Sequence, residues 1–330
     1  MLLHPTLEQT SSPRNLTVLD LAPRVPSLLG EVLSGLSLPH KSLPPKLFYD
    51  AMGAQLFNAI CATSAYYVTR TEDAILRSHA DEISAAIGRG ATIVEPGAGD
   101  MRKIRVLLRL LRPQLYAPVD ISAAQLAAAA QALALEFPWL RVMAIAADFR
   151  SPDLADMAPL GDGRRVMFFP GSTIGNFEPA QAVEFLRDAR ALIGEGGRIL
   201  MGVDLRKPKA RLELAYNDPE GWTARFNLNM LVRINRDMDA DFDTDAFAHR
   251  AYYNEDAGRI EMHLVSIRTQ WVTIGGRRFS FQRGETIHTE NSYKYTPEGF
   301  LALAREAGLG LQRMWTDEAG WFGVFCLAPS

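Results

Sequence analysis

The sequence predicts an α/β protein built on a doubly wound, mostly parallel sheet, with a second, smaller α+β unit inserted after its fifth strand. Three observations carry this expectation. Short β-rich runs alternate with helical stretches between residues 91 and 204, a glycine-rich turn closes the first of these runs, and about ninety residues then interrupt the rhythm.

Composition narrows the class of protein. The 330 residues are 48% hydrophobic and 22% charged, an ordinary globular balance with length for one large domain or two interleaved ones. A net charge of −3, with no window of concentrated Lys and Arg, argues against a nucleic-acid partner. Cys61 and Cys326 are too few for a disulfide framework or a CxxC knuckle, which fits a reducing compartment. The six histidines (His4, His40, His79, His249, His263 and His288) show no HExxH-like spacing, so no metal is expected. No run reaches the roughly 18 apolar residues of a membrane span, and the first 17 residues lack a signal-peptide core. A soluble cytoplasmic protein without a membrane partner is expected.

The elements follow in order. Residues 1–45 carry seven prolines and read as an irregular arm with one short helix over 25–36. Thr71, followed by Glu72 and Asp73, is expected to cap a helix that ends near Gly88 and Gly90. Strands are then expected at 91–95, 115–120, 141–146, 166–169 and 198–204, with helices at 101–112, 123–136 and 180–193. Only the link between the third and fourth strands lacks a clear helix. The Ala-rich stretch 123–136, with Ser122 before it and Gln125 and Gln131 within it, suits a packed amphipathic helix. Within the interruption, helices are expected at 208–216 and 222–235, and strands at 259–274, 277–281 and 285–295, with Gly275 and Gly276 turning the first hairpin. A helix at 297–307 and strands at 311–315 and 321–327 close the chain. An insertion of this length exceeds a loop and should cap the sheet together with the N-terminal arm. No internal repeat is visible.

The first strand runs into Glu95-Pro96-Gly97-Ala98-Gly99-Asp100, expected to open a helix at Met101. Glycines at such a turn let the backbone approach a ligand, and the helix start favours hydrogen-bond acceptors. A dinucleotide fingerprint needs a third glycine where this chain has Arg102, which argues against NAD. Asp120 closes the second strand, where a carboxylate can accept from both hydroxyls of a ribose. Asp148 and Phe149, after the third strand, suit an adenine: an acceptor for the exocyclic amine and a face for stacking. A helix cap at Asp120 or a solvated loop at Asp148 would explain each alone, but not three matching strand ends together. The acidic-x-Gly-x-Gly turn resembles the first motif of class I S-adenosylmethionine (SAM) methyltransferases.

After the fourth strand comes Gly171-Ser172-Thr173-Ile174-Gly175-Asn176-Phe177, where methyltransferases place the acceptor. The Asn/Asp-Pro-Pro-aromatic run of amino-adenine methyltransferases is absent. Taken with Leu47-Phe48-Tyr49-Asp50, Tyr66-Tyr67-Val68-Thr69-Arg70-Thr71-Glu72, Phe226-Asn227-Leu228-Asn229-Met230, Ile260-Glu261-Met262-His263 and Thr289-Glu290-Asn291-Ser292, the run resembles the histidine Nα-methyltransferases of ergothioneine biosynthesis, from about residue 40 onward. The resemblance implies a Rossmann-like SAM-binding domain over 70–206 and 294–330, a substrate-binding domain over 28–69 and 207–293, and an N-terminal arm over 1–27.

By the same resemblance, Tyr49, Gly97, Gly99, Lys103, Asp120, Asp148 and Phe149 contact SAM, which leaves as S-adenosylhomocysteine. Asn176 and Tyr216 hold the α-carboxylate and α-amine of an amino acid, acting by positioning. Tyr66, Gly171, Met262, Glu290 and Ser292 line its side-chain pocket. In a strand, Glu290 and Ser292 project from one face, and a carboxylate beside a hydroxyl can bond the two nitrogens of an imidazole. His288 is expected on that same face as a neighbour. Pro96, Asn291, Tyr293 and Tyr295 depart from the family pattern.

The expected reaction is in-line transfer of a methyl group from a sulfonium to a neutral amine, with positioning supplying most of the rate. A cationic cofactor disfavours a second positive charge, so no dedicated base is required. The resemblance implies repetition up to the trimethylated betaine, hercynine, whose quaternary ammonium the faces of Tyr49 or Phe177 would accept. The expected partner is a small amino acid, and the expected state a monomer. The alternatives are a methyltransferase of the same fold acting on another amine, a nicotinamide oxidoreductase, and a non-catalytic SAM-binding scaffold.

Overall fold

A computed structural model describes residues 13–21, 26–149, 160–161 and 163–330. Most of the arm over 1–27, and the link at 150–159, lie outside the described residues.

Among the described residues the main sheet has eight strands: β1 (Leu16–Asp20), β2 (Thr92–Pro96), β3 (Leu115–Asp120), β4 (Arg141–Ala146), β5 (Arg165–Phe169), β6 (Arg198–Asp204), β12 (Leu309–Thr316) and β13 (Phe322–Pro329), in the spatial order β1-β4-β3-β2-β5-β6-β13-β12. The first six run parallel, while β13 joins β6 and β12 joins β13 antiparallel. All five expected central strands form. Every residue of β2 is buried, as a central parallel strand requires when helices cover both faces.

One face carries α3 (Tyr67–Ser78), α4 (Ala80–Ile87), α5 (Arg105–Leu111) and α6 (Ala123–Glu136) on Ile93, Tyr116, Val142 and Phe168. The other carries α7 (Pro179–Ile193) and α10 (Pro297–Glu306) on Val94, Val119, Met167 and Phe325. Thr296 caps α10 by accepting from the Gly299 amide at 3.0 Å.

The interruption holds α8 (Lys209–Tyr216), α9 (Trp222–Met238), β7 (Phe247–Asn254), β8 (Arg259–Ser266), β9 (Gln270–Ile274), β10 (Arg277–Phe281) and β11 (Thr286–Tyr293). Strands β11, β8 and β7 form an antiparallel sheet, and β9 pairs with β10 as a hairpin. The preceding segment adds α1 (Pro26–Leu36) and α2 (Ala51–Ala62), with α2 packed on α9. Asp50 caps α2, its carboxylate accepting from the Gly53 amide at 2.8 Å and from the Asn229 amide of α9 at 2.9 Å.

Several expectations are corrected. The proline-rich arm contains a strand, β1, which extends the sheet by pairing Leu16 with Val142 through Asp20 with Ala146. Helix α2 has no counterpart among the expected elements. The helix assigned to Thr71 starts at Tyr67 and breaks at His79; Thr71 lies inside it, its hydroxyl donating to the Tyr67 carbonyl at 2.9 Å. Met101 opens no helix, since its φ of 55° is left-handed, and α5 begins only at Arg105. The long strand expected over 259–274 is two, β8 and β9, and β7 before them was not foreseen.

Candidate active site

A cavity of about 450 Å³ lies beside the turn after β2 and is walled also by residues of α2, the turn after β5, and β11. Of the residues expected to contact a cofactor, Tyr49, Gly97, Gly99, Lys103, Asp120, Asp148 and Phe149 all line it. Gly97 has φ +67°, a left-handed backbone that glycine adopts without strain, and it packs beside the Phe149 ring. The Asp120 carboxylate accepts the Gly99 amide at 3.0 Å on one oxygen and the Ser122 amide at 3.0 Å on the other. Burial pushes its pKa up, and these amides oppose the rise. Each oxygen keeps a further lone pair, which suits ribose hydroxyls.

Lys103 reaches a partner that sequence reasoning missed. Its ammonium bonds the buried Glu72 carboxylate, which also accepts the Gly171 amide at 2.9 and 3.0 Å. One carboxylate thereby ties the turn after β2 to the turn after β5. Gly171 has φ +82°, and a Cβ there would approach Lys103 Nζ to 3.3 Å. Glu72 stands in a block already singled out, but as a first-turn acid of a helix; only its inward direction reveals the role. Glu95 is likewise buried, its carboxylate accepting the Tyr116 hydroxyl at 2.5 Å, and burial pushes its pKa up to about 8.

Of the residues expected to hold an amino acid, Tyr66, Gly171, Asn176 and Glu290 line the same cavity, whereas Tyr216, Met262 and Ser292 stand outside its lining. Asn176 ends a 3₁₀ turn, Thr173–Asn176, seated on β11, and its amide donates to Glu290 Oε2 at 3.5 Å. Burial pushes the Glu290 carboxyl up to about 7, the Lys294 ammonium pulling the other way. Met262 is the buried cross-strand partner of Glu290. Tyr216 packs edge-on against Tyr66 with ring centroids 6.1 Å apart, and its hydroxyl lies 2.7 Å from Ser292 Oγ. Tyr49 is braced edge-on by Phe48, Phe57 and Phe226.

The place of His288 is corrected. A bulge between His288 and Glu290 shifts the register, so His288 pairs with His263 and Glu290 with Met262. Directly opposed residues share a face and successive ones alternate, which puts His288 opposite to Glu290. There His288 stacks on His263 at 4.9 Å. Glu261 completes a group of potential metal ligands with these two, but its oxygens already accept from Tyr252, Asn254, Arg259 and His263 at 2.6–3.1 Å. That saturation makes it a structural network. The departing residues Asn291 and Tyr293 are explained on the same face: both donate to Glu178, at 2.8 and 2.6 Å, and Asn291 and Glu178 border the cavity along with Glu290.

A glycine turn after a central parallel strand, carboxylates at the next strand ends and a cavity closed by an inserted unit define a Rossmann-like class I methyltransferase that uses SAM. A family model for histidine-specific, SAM-dependent methyltransferases matches residues 28–329, and the chain belongs to that family. It is 42% identical over 304 residues to the histidine N-alpha-methyltransferase of Mycolicibacterium smegmatis, and equally to that of Mycobacterium tuberculosis, covering 90% of this chain and 94% of each relative. It is 31% identical over 310 residues to the ergothioneine biosynthesis protein 1 of Neurospora crassa, covering 88% of this chain and 33% of that protein.

Proposed function

We propose that this chain methylates the α-amino nitrogen of L-histidine with SAM and repeats the transfer to the trimethylated betaine, as a step of ergothioneine biosynthesis. The observation that carries the reading is Glu290, a buried carboxylate in the same cavity as the glycine turn, within reach of Asn176. SAM supplies an electrophilic methyl group on a sulfonium. Tyr49, Gly97, Gly99, Lys103, Asp120, Asp148 and Phe149 are the residues that would hold it. Asn176 would orient the amino-acid end, with Tyr216 behind it, and Glu290 would accept an imidazole N–H. The cationic cofactor favours an uncharged amine, and the proton that a transfer leaves on the methylated nitrogen passes to solvent before the next one, with no dedicated base.

The division into a cofactor part, 70–206 with 294–330, and a substrate part, 28–69 with 207–293, belongs to this proposal, as do the monomeric state and cytoplasmic location. Two free cysteines agree with a reducing compartment, and among the described residues no helix is long and apolar enough to cross a membrane. Mass spectrometry of histidine incubated with enzyme and SAM tests the reading: mass gains in steps of one methylene, up to three, are expected. A gain on another amino acid with none on histidine overturns it.

A further inference from the structure

Glu72 stands where the two halves of the proposed site meet. Its carboxylate, on α3 and only 1% exposed, pairs with the Lys103 ammonium and accepts the Gly171 amide on both oxygens, at 2.9 and 3.0 Å. The fold leaves a seat for it: a Cβ on Gly202 of β6 would fall 1.9 Å from Glu72 Oε1, a place that bare backbone keeps open. Burial pulls the Lys103 ammonium down, but Glu72 more than offsets this and the cation stays charged. An ammonium has three N–H bonds. Among the described residues Glu72 is the one hydrogen-bond acceptor of Lys103, which leaves two N–H bonds for an anion in the cavity that Lys103 lines.

Gly171 opens the turn that carries Asn176, and this turn hangs from two anchors. One is the Gly171 amide on Glu72. The other is Ser172, held at a left-handed φ of 58°, whose Oγ accepts the Asp204 amide at 2.8 Å. Asp204, fully buried at the end of β6, is itself fixed by the Lys294 ammonium at 2.8 Å and the Tyr67 hydroxyl at 2.7 Å. The Ser172 anchor is therefore set by the fold alone, whereas the Glu72 anchor shares its acceptor with a cation that faces the cofactor.

We propose that Glu72 is a positioning residue that couples the two halves of the site, so that filling the cofactor half tightens the turn that presents Asn176 to the amino acid. This rests on the functional reading above. SAM and S-adenosylhomocysteine both carry a carboxylate at their amino-acid end. Drawn toward that carboxylate, the Lys103 ammonium neutralises Glu72 less, and a less neutralised carboxylate is the stronger acceptor for the Gly171 amide. The effect is reciprocal by linkage: histidine must tighten S-adenosylhomocysteine by the same factor. Glu72 touches no reacting atom and acts through Lys103 and Gly171.

Calorimetry of histidine binding with and without saturating S-adenosylhomocysteine tests it, in the wild type and in Glu72→Gln, whose amide keeps an acceptor for Gly171 but has no charge to share. The thioether is expected to tighten histidine at least about fivefold in the wild type, and by less than about twofold in the variant. A wild-type ratio near one, or the same ratio in both proteins, overturns the proposal; a merely structural glutamate would weaken histidine equally with and without the thioether and leave the ratio unmoved. Because an unpaired buried lysine can unfold the chain, a second measurement uses the wild type: NMR of the Gly171 amide as S-adenosylhomocysteine is added without histidine. A downfield shift of its proton, the mark of a stronger hydrogen bond, is expected; no shift or an upfield one overturns the coupling. Failure of the wild type to bind S-adenosylhomocysteine or histidine would overturn the functional reading itself, whereas binding of both with an unaltered ratio in Glu72→Gln sinks the role of Glu72 alone.

Discussion

Glu290 shows at the scale of one residue how a binding site is held at the expense of stability. Burial lifts its carboxyl from an ordinary value near 4.5 to about 7. A raised acid binds its proton more tightly folded than unfolded, so stability is highest below the ordinary value and falls as pH rises from about 4.5 to about 7. The loss is on the order of 3 kcal/mol. Glu290→Gln, neutral throughout, should therefore melt with the wild type at pH 5 and above it at pH 8 when no ligand is present. The same variant should bind histidine at least tenfold more weakly at pH 8, since an amide replaces the carboxylate partner. Thermal melts across pH and calorimetry check both halves; equal melting at pH 8 would refute the buried charge.

Among the elements, the seating of the Thr173–Asn176 turn on β11 is the contact that sets Asn176 beside Glu290. A Cβ on Gly175 would come within 2.8 Å of the Tyr293 carbonyl oxygen and 3.2 Å of its nitrogen. Gly175→Ala should push the turn off the strand, cost about 1–3 kcal/mol, and raise KM for histidine while S-adenosylhomocysteine affinity holds. Parallel kinetics and titration separate the two effects. What the sequence made legible follows from the same physics. The five central strands are apolar runs bounded by turn residues, and the family blocks placed Asn176 and Glu290 in one cavity. β1 escaped because its residues are half exposed at a sheet edge and lack the apolar signal of a buried strand. The Thr289 bulge escaped because a one-residue slip leaves no compositional trace, yet it reverses the face of His288. Glu72, Asp204 and Lys294 escaped because burial of a charge depends on partners 31 to 137 residues away along the chain, Lys103, Gly171, Lys294, Ser172 and Tyr67 among them.

For the whole molecule, one apolar cluster joins the proposed parts. It contains Val32 and Phe48 from the N-terminal segment, Ile93 and Tyr116 from the sheet, and Met230 and Ile274 from the insertion. Parts that share a core unfold together, so calorimetry should show one transition with calorimetric and van't Hoff enthalpies equal. S-adenosylhomocysteine at a hundred times its Kd should add about 2.7 kcal/mol to that single transition; two resolved transitions would establish separable domains instead. The two carboxylate braces carry a practical lesson. Glu72 secures the side proposed to hold the methyl donor, and Glu178, through Arg259, Asn291 and Tyr293, secures the side proposed to meet the acceptor. Anyone wishing to evolve this scaffold toward betaines of unnatural amino acids can randomise the inner surface of β11 while both struts remain, reshaping what is alkylated without loosening the grip on the alkylating reagent.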